Sequence, residues 1–288
     1  MNLRFFASIG GGQDGAIRED TLFRFGSRGG GYVYNLKDVE KSRLSPAILE
    51  HASKIALDAA EIIVPHCNSV CFGTEFASPE DEFPLLYCNV YNNYAKSEDP
   101  LLGMTCVYRI LKNEDGFATK LVQLIQIGFT EKKGLWLSAG AEKDTRPYGN
   151  VTIDCESGHF YAFVMRDGDQ NTRYFSFALP KLCEGEIDPR FGVPRVVLCE
   201  DRILDFFDAP YHNYIQGACC HGGLIYSVEG FGKKIHPAIR IIDPAEKKEI
   251  FYRDLHDMQL PAEAELIDFH RGNCLYGDAR GNLIRLDF

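Results

Sequence analysis

The segment "VPHCNSVCFG", Val64 to Gly73, gathers His66, Cys67, Asn68 and Cys71 in one short run. Imidazole and thiolate side chains this close could hold zinc or form an activated thiol. The spacing argues against both. A structural zinc site wants CxxC-type pairs, usually two of them. Neither "HCNSVC" nor "CCH" (Cys219, Cys220, His221) supplies one. Along an extended strand His66 and Cys67 point to opposite faces, so they share one ion poorly. Cys67 beside His66 is also a thiol–imidazole neighbour pair that a nucleophilic mechanism could use. GxSxG and GxGxxG are absent, and "IGGGQDG" and "SRGGGY" lack the Lys-Ser/Thr of a phosphate-binding loop, so they read as turns.

A different pattern carries more chemistry. Asp14, Asn68, Asn150, Gln216 and Glu265 each open a strongly apolar strand. Two positions earlier stand His66, Tyr148, Tyr214 and Glu263, and Arg146 precedes "PYGN". Residues two apart on a strand share a face. Amides, carboxylates and aromatic rings converging on a concave mouth suit a small polar molecule or a glycan. Asp14, His66, Asn68, Arg146, Tyr148, Asn150, Tyr214, Gln216 and Glu265 are therefore the expected ligand-binding set. The competing expectation is that these groups only order water. Glu265 as acid and Asp14 as base would make a glycan-active hydrolase or lyase. Asp154 lies on the face of Asn150, but deeper. Oxygens of Asp14, Asn68 and Asn150 could also hold calcium or magnesium; no other cofactor and no structural metal is expected. A protein-interaction scaffold is the third reading.

The elements that would position these residues recur along the chain. "NVTIDCESG / HFYAFVMRDGDQN / TRYFSFAL / RVVLCED" reads as strand, turn, strand, turn, strand and a closing strand. Similar units begin near Asp14, Asn68, Gln216 and Glu265, at intervals of roughly 50 to 80 residues that fit four-stranded blades with loop insertions. The expectation is an all-β, five-bladed propeller of four-stranded antiparallel blades, one domain over residues 1–288. The final unit, "NLIRLDF", lacks a fourth strand, and Leu3–Ile9 can supply it from the N-terminus, removing an open edge. Ser45–Ile63 is the ambiguous stretch. Apolar residues at 48, 52, 55, 59 and 62 have helical period, whereas the blade needs an outer strand over Ser53–Asp58.

Composition excludes several classes. The net charge of −10 opposes nucleic-acid binding, which needs a basic face. No window approaches the ~18 apolar residues of a membrane span. The first residues hold too short an apolar run for a secretory signal, so a cytoplasmic, monomeric protein is expected. Ten scattered cysteines suit reduced, buried thiols acting as small hydrophobes.

"PHCNSVCFG…FPLLYCNVYNN…CVYRI…LVQLIQIG", "YFSFALP" and "YIQGACCHGGLIYSVEGFG…PAIRIID" resemble segments of a group of bacterial five-bladed propeller proteins common in gut anaerobes. The resemblance runs from about Asp14 to the end. It marks blades more than chemistry, and implies a fold and no particular activity. Five-bladed propellers elsewhere include glycosidases, lectins and a calcium-dependent nucleotidase. The carboxylate motifs of those glycosidases are not evident here.

Overall fold

Alternating apolar residues broken by Gly, Asp and Asn turns fold into five small sheets around one axis. The computed structural model describes residues 1–42, 47–90, 101, 103–114, 116–129, 150–166, 169–212, 214–232, 234–258, 260 and 262–288. The chain opens with β1 (Asn2–Ser8), which belongs to the last blade. Blade 1 is β2 (Gly15–Arg18), β3 (Thr21–Phe25), β4 (Gly30–Asn35) and, after the short β5 (Ala47–Ile48), β6 (Ser53–Ala56). Blade 2 is β7 (His66–Phe72), β8 (Leu86–Val90), β9 (Met104–Asn113) and β10 (Gly116–Ile127). Blade 3 starts with β11 (Asn150–Asp154), β12 (His159–Arg166) and β13 (Asn171–Ala178). The chain then forms β14 (Glu186–Ile187) and β15 (Pro194–Leu198) before β16 (Asp205–Pro210) completes the blade. Blade 4 is β17 (Ile215–His221), β18 (Leu224–Phe231), β19 (Ile235–Asp243) and β20 (Lys248–Asp254). Blade 5 is β21 (Ala264–His270), β22 (Asn273–Asp278) and β23 (Asn282–Asp287).

The N-terminal strand closes the ring. β1 pairs antiparallel with β23 from Asn2↔Asp287 to Ser8↔Asn282, and β5 adds to β1 in parallel. Each seam between blades carries its own apolar cluster, because successive residues of a strand face opposite neighbours. On β12, Phe160 and Ala162 pack toward blade 2, while Tyr161 and Phe163 pack toward blade 4. Phe23 joins blades 1 and 2, set edge-to-face on Phe72, Phe83 and Phe117. The seam between blades 5 and 1 also has an ionic staple. Asp20 accepts from His270 at 2.8 Å, Arg271 at 2.8 Å and Lys37 at 3.0 Å.

Two expectations change. "RVVLCED" is not the outer strand of blade 3. Its β15 pairs in parallel with β10 and widens blade 2 to six strands, and β16 takes the outer place. The connection is pinned to blade 2 by Gln123, whose amide donates to Lys181 O at 2.7 Å and Glu184 O at 3.1 Å. Within Ser45–Ile63, β6 pairs with β4 as the blade requires, and Ala60–Ile63 adds one helical turn. Strand period decides the first part: Ile55 and Leu57 are buried in the blade 1–2 seam.

Candidate functional site

The inner strands β2, β7, β11, β17 and β21 surround the axis, and the end at which they begin is called the upper face here. Asp14, Asn68, Asn150, Gln216 and Glu265 all stand at that end, and all five are buried. They hydrogen-bond from blade to blade. Asp14 Oδ2 accepts from Val70 N at 2.9 Å, linking blades 1 and 2. Asn150 Nδ2 donates to Asn68 O at 3.2 Å, linking blades 3 and 2. Asn68 Nδ2 donates to Gln216 Oε1 at 2.8 Å, from blade 2 to blade 4. Gln216 Nε2 donates to Glu263 Oε1 at 2.6 Å, and Gln13 Nε2 to Glu265 Oε1 at 3.1 Å, which brings in blade 5.

The axis at this level is filled rather than open. A Cβ on Gly217 of blade 4 would lie 2.8 Å from Glu265 O and 3.2 Å from Asp14 Oδ1. Only a glycine lets the blade 4 backbone approach this closely. The ring residues thus form a floor, and any ligand rests above it. Asp14 Oδ1, Asn68 Oδ1, Asn150 Oδ1, Gln13 Oε1 and Glu265 Oε2 are buried in that floor without a hydrogen-bond partner. Buried acceptors in this state each cost about 1–3 kcal/mol unless something donates to them.

Burial also sets the charge state. It pushes the Glu265 carboxyl up to about 8, with Glu263 adding to the rise and Arg24 opposing it. Burial raises Asp14 well above the ordinary carboxylate range, against the pull of the Val70 N–H. It raises Glu263 and lowers His66, so His66 is a neutral imidazole at pH 7.

Arg24 and Gln13 were not in the expected set. Arg24 is a buried cation on β3; its Nη2 donates to Gly12 O at 2.9 Å and to Asp278 O at 2.6 Å, tying blade 1 to blade 5. Its field acts on Glu265, Asp14 and Asp278. The sequence signal was the arginine in "TLFRF", set among Leu22, Phe23 and Phe25, which are buried. Gln13 was legible only as the neighbour of Asp14.

The second tier behaves differently from a simple strand face. His66, Cys67 and Tyr214 have positive φ (66°, 57° and 60°), and β7 and β17 are bulged where they begin. A left-handed residue breaks the two-residue alternation, so His66 and Tyr214 do not continue the line of Asn68 and Gln216. Tyr214 stacks on Phe231, with centroids 4.9 Å apart. Arg146 and Tyr148 lie outside the described residues. Asp154 is at the opposite end of β11, where it caps the turn to β12 through Ser157 and the Glu156 N–H.

Two cavities flank blade 5. One, about 650 Å³, lies between blades 4 and 5 beside Glu263. The other, about 670 Å³, lies between blades 5 and 1 and is lined by Gly10, Gly11, Tyr32, Tyr34, Glu50 and His51. Tyr34 Oη accepts from Gly10 N at 2.9 Å, and the Tyr32 and His51 rings are 4.7 Å apart. Among the described residues, no group of three or more His, Cys, Asp or Glu is arranged to hold a metal ion, and no helix is long and apolar enough to cross a membrane. All ten cysteines are free; Cys67, Cys71, Cys88, Cys106, Cys219 and Cys274 are buried, whereas Cys155 and Cys183 are exposed.

No family model matches the chain, and no curated protein matches it. Solved structures with a similar fold include BamB from Moraxella catarrhalis, at 9% identity over 95% of this chain and 60% of that one (TM-score 0.34). The Dos1 propeller is 11% identical over 95% of this chain and 57% of its own (TM-score 0.35). The chain therefore spans less than two thirds of the length of either. A putative oxidoreductase (glucose dehydrogenase) from Thermus thermophilus is 10% identical, with 99% of both chains covered (TM-score 0.48). These are likenesses of fold alone, and the five blades rest on the strand pairing itself.

Proposed function

We propose that the protein binds a small, donor-rich polar ligand, a polyol or neutral carbohydrate, on the upper face above the inner-strand ring. The observation that carries this is a set of buried oxygens without partners, namely the amide acceptors of Gln13, Asn68 and Asn150 together with Asp14 and Glu265, whose carboxyls burial pushes toward the neutral form. Hydroxyl groups donate to such oxygens, and Tyr32, Tyr34 and His51 line the cavity between blades 5 and 1 with rings suited to a sugar face. Arg146 and Tyr148 belong to the same proposal from their place in the sequence.

The hydrolase or lyase reading, with Glu265 as acid and Asp14 as base, is less well supported. An acid–base pair works when environment separates the two pKa values. Here burial raises both carboxyls, and Asp14 already accepts the Val70 N–H. A calcium or magnesium ion on the Oδ1 atoms of Asp14, Asn68 and Asn150 is the second occupant the donor chemistry fits. A cytoplasmic location accords with ten free thiols. The likeness to the gut-anaerobe propeller group adds no ligand.

The test is a thermal-shift panel of neutral sugars and polyols, with calcium and magnesium as separate arms. A ligand at 100 times its Kd stabilises by about 2.7 kcal/mol, or roughly 5 °C for a chain this long. Gln13→Ala should remove the shift. If no sugar or polyol moves Tm at tens of millimolar, the carbohydrate reading fails and the scaffold reading gains.

A further inference from the structure

The cavity between blades 4 and 5 holds chemistry the ring does not. Its wall includes Gly232, His236, Pro237, His256, Glu263 and Arg280. His236 and His256 stack face to face, with centroids 3.8 Å apart and planes 15° from parallel. Only backbone N–H groups of His256 and Arg280 are engaged, by Asp254 and Asp278. Among the described residues, the side chains of His236, His256 and Arg280 make no hydrogen bond or ion pair. The carboxylate on the same wall is already used, since Glu263 Oε1 takes the Gln216 amide at 2.6 Å.

Three nitrogen-bearing side chains thus present free donors to one cavity. We propose that this cavity binds a phosphoryl group, with Arg280 as the fixed cation and the two imidazoles as donors that gain charge on binding. Arginine's planar fork suits phosphate oxygens. Two positive rings 3.8 Å apart repel each other. A dianion held by the rings and Arg280 offsets that repulsion. The other charged groups near the pair are Glu263 across the cavity, Asp254 at the His256 N–H, Asp257 next to His256, and Lys234 two residues before His236. Binding should couple to proton uptake and strengthen as pH falls from 8 to 6. The site is independent of the ring, which a neutral sugar can occupy without touching these residues.

The experiment titrates the full chain with inorganic phosphate while following histidine C2–H resonances, assigned with His236→Gln and His256→Gln. At pH 6 the two signals should move saturably, with Kd on the order of 1 mM for so small a ligand. Affinity should fall at least tenfold at pH 8, and at least tenfold in Arg280→Ala at pH 6. Arg280 is exposed, so that variant should keep the wild-type circular dichroism and Tm, which are measured alongside. No saturable movement of either signal at pH 6, or unchanged affinity in Arg280→Ala, overturns the site. Acetate binding as well as phosphate overturns the phosphoryl assignment.

Discussion

Replacing Glu265 with glutamine removes a carboxyl that the fold keeps protonated. In the unfolded chain this group releases its proton near pH 4.5, and in the folded protein near 8. Between those values the folded state holds a proton that the unfolded state lacks. Stability contributed by this group is therefore full below pH 4.5 and is lost as pH rises toward 8. A gap of about 3.5 pH units at about 1.4 kcal/mol each gives about 5 kcal/mol in all, of which about 3 kcal/mol is gone by pH 7. Glutamine is close to the shape of the protonated acid, can still accept from Gln13, and does not titrate. Glu265→Gln should match the wild type near pH 5 and exceed it by several kcal/mol at pH 9. Urea denaturation at pH 5, 7 and 9, followed by far-UV circular dichroism, measures this directly. Asp14 titrates in both proteins, so the difference between them isolates Glu265. Equal slopes of stability against pH in the two proteins would refute the assignment of a buried, neutral Glu265. So would a variant that is destabilised by the same amount at every pH.

Two other substitutions test the frame that holds the ring. Gly217→Ala places a methyl 2.8 Å from Glu265 O and should cost about 2 kcal/mol or more through overpacking at the axis. Gly30→Ala, with nothing within 4 Å, should change the denaturation midpoint little; equal effects would mean the axis is looser than described. Asp20→Asn should lower Tm by a few degrees at pH 7, because it weakens the staple between blades 5 and 1. The bonds from His270 and Arg271 hold the Asp20 carboxyl well below its usual range. Its contribution is present above about pH 4 and is lost as pH falls further, so the two proteins should converge in acid. A constant gap down to pH 2 would contradict that.

The blades were legible because the inner strands bury both faces against neighbouring blades, leaving continuous apolar runs between turn residues. "NLIRLDF" without a partner and a lone apolar strand at Leu3–Ile9 pointed to closure, and β1 pairs with β23 accordingly. The partner of "RVVLCED" was not legible. Val196 and Leu198 are buried while Val197 is exposed, an alternation that would satisfy either blade 2 or blade 3. The choice is made by Gln123 with the Lys181 carbonyl and by Arg195 with Gln126 Oε1, contacts between residues distant in sequence. In Ser45–Ile63, helical and strand periods coexist because the stretch contains both elements.

The ring shows where reading from sequence stops. A polar residue opening an apolar strand signals a buried polar position, and all five such residues are buried at one end of the axis. What the pattern cannot carry is the space between them. Whether the five face a channel or close one depends on how near the backbones come, and that is set by Gly217 against Asp14 and Glu265. The same holds for charge. Arg24 reads as one polar residue in an alternating strand, yet its guanidinium reaches the backbone of blade 5. It is packed beside Gly12 and Gly277, where a Cβ would come within 3.1 Å and 2.9 Å of it. Arg24 lies beside Asp14, Glu265 and Asp278, and its charge opposes the rise that burial imposes on Asp14 and Glu265. Oxygens left over in that floor have no hydrogen-bond partner, and Arg24 Nε and Nη1 are buried there without one as well. A hydroxyl-rich ligand or ordered water answers that deficit, and the sugar and polyol titration separates the two.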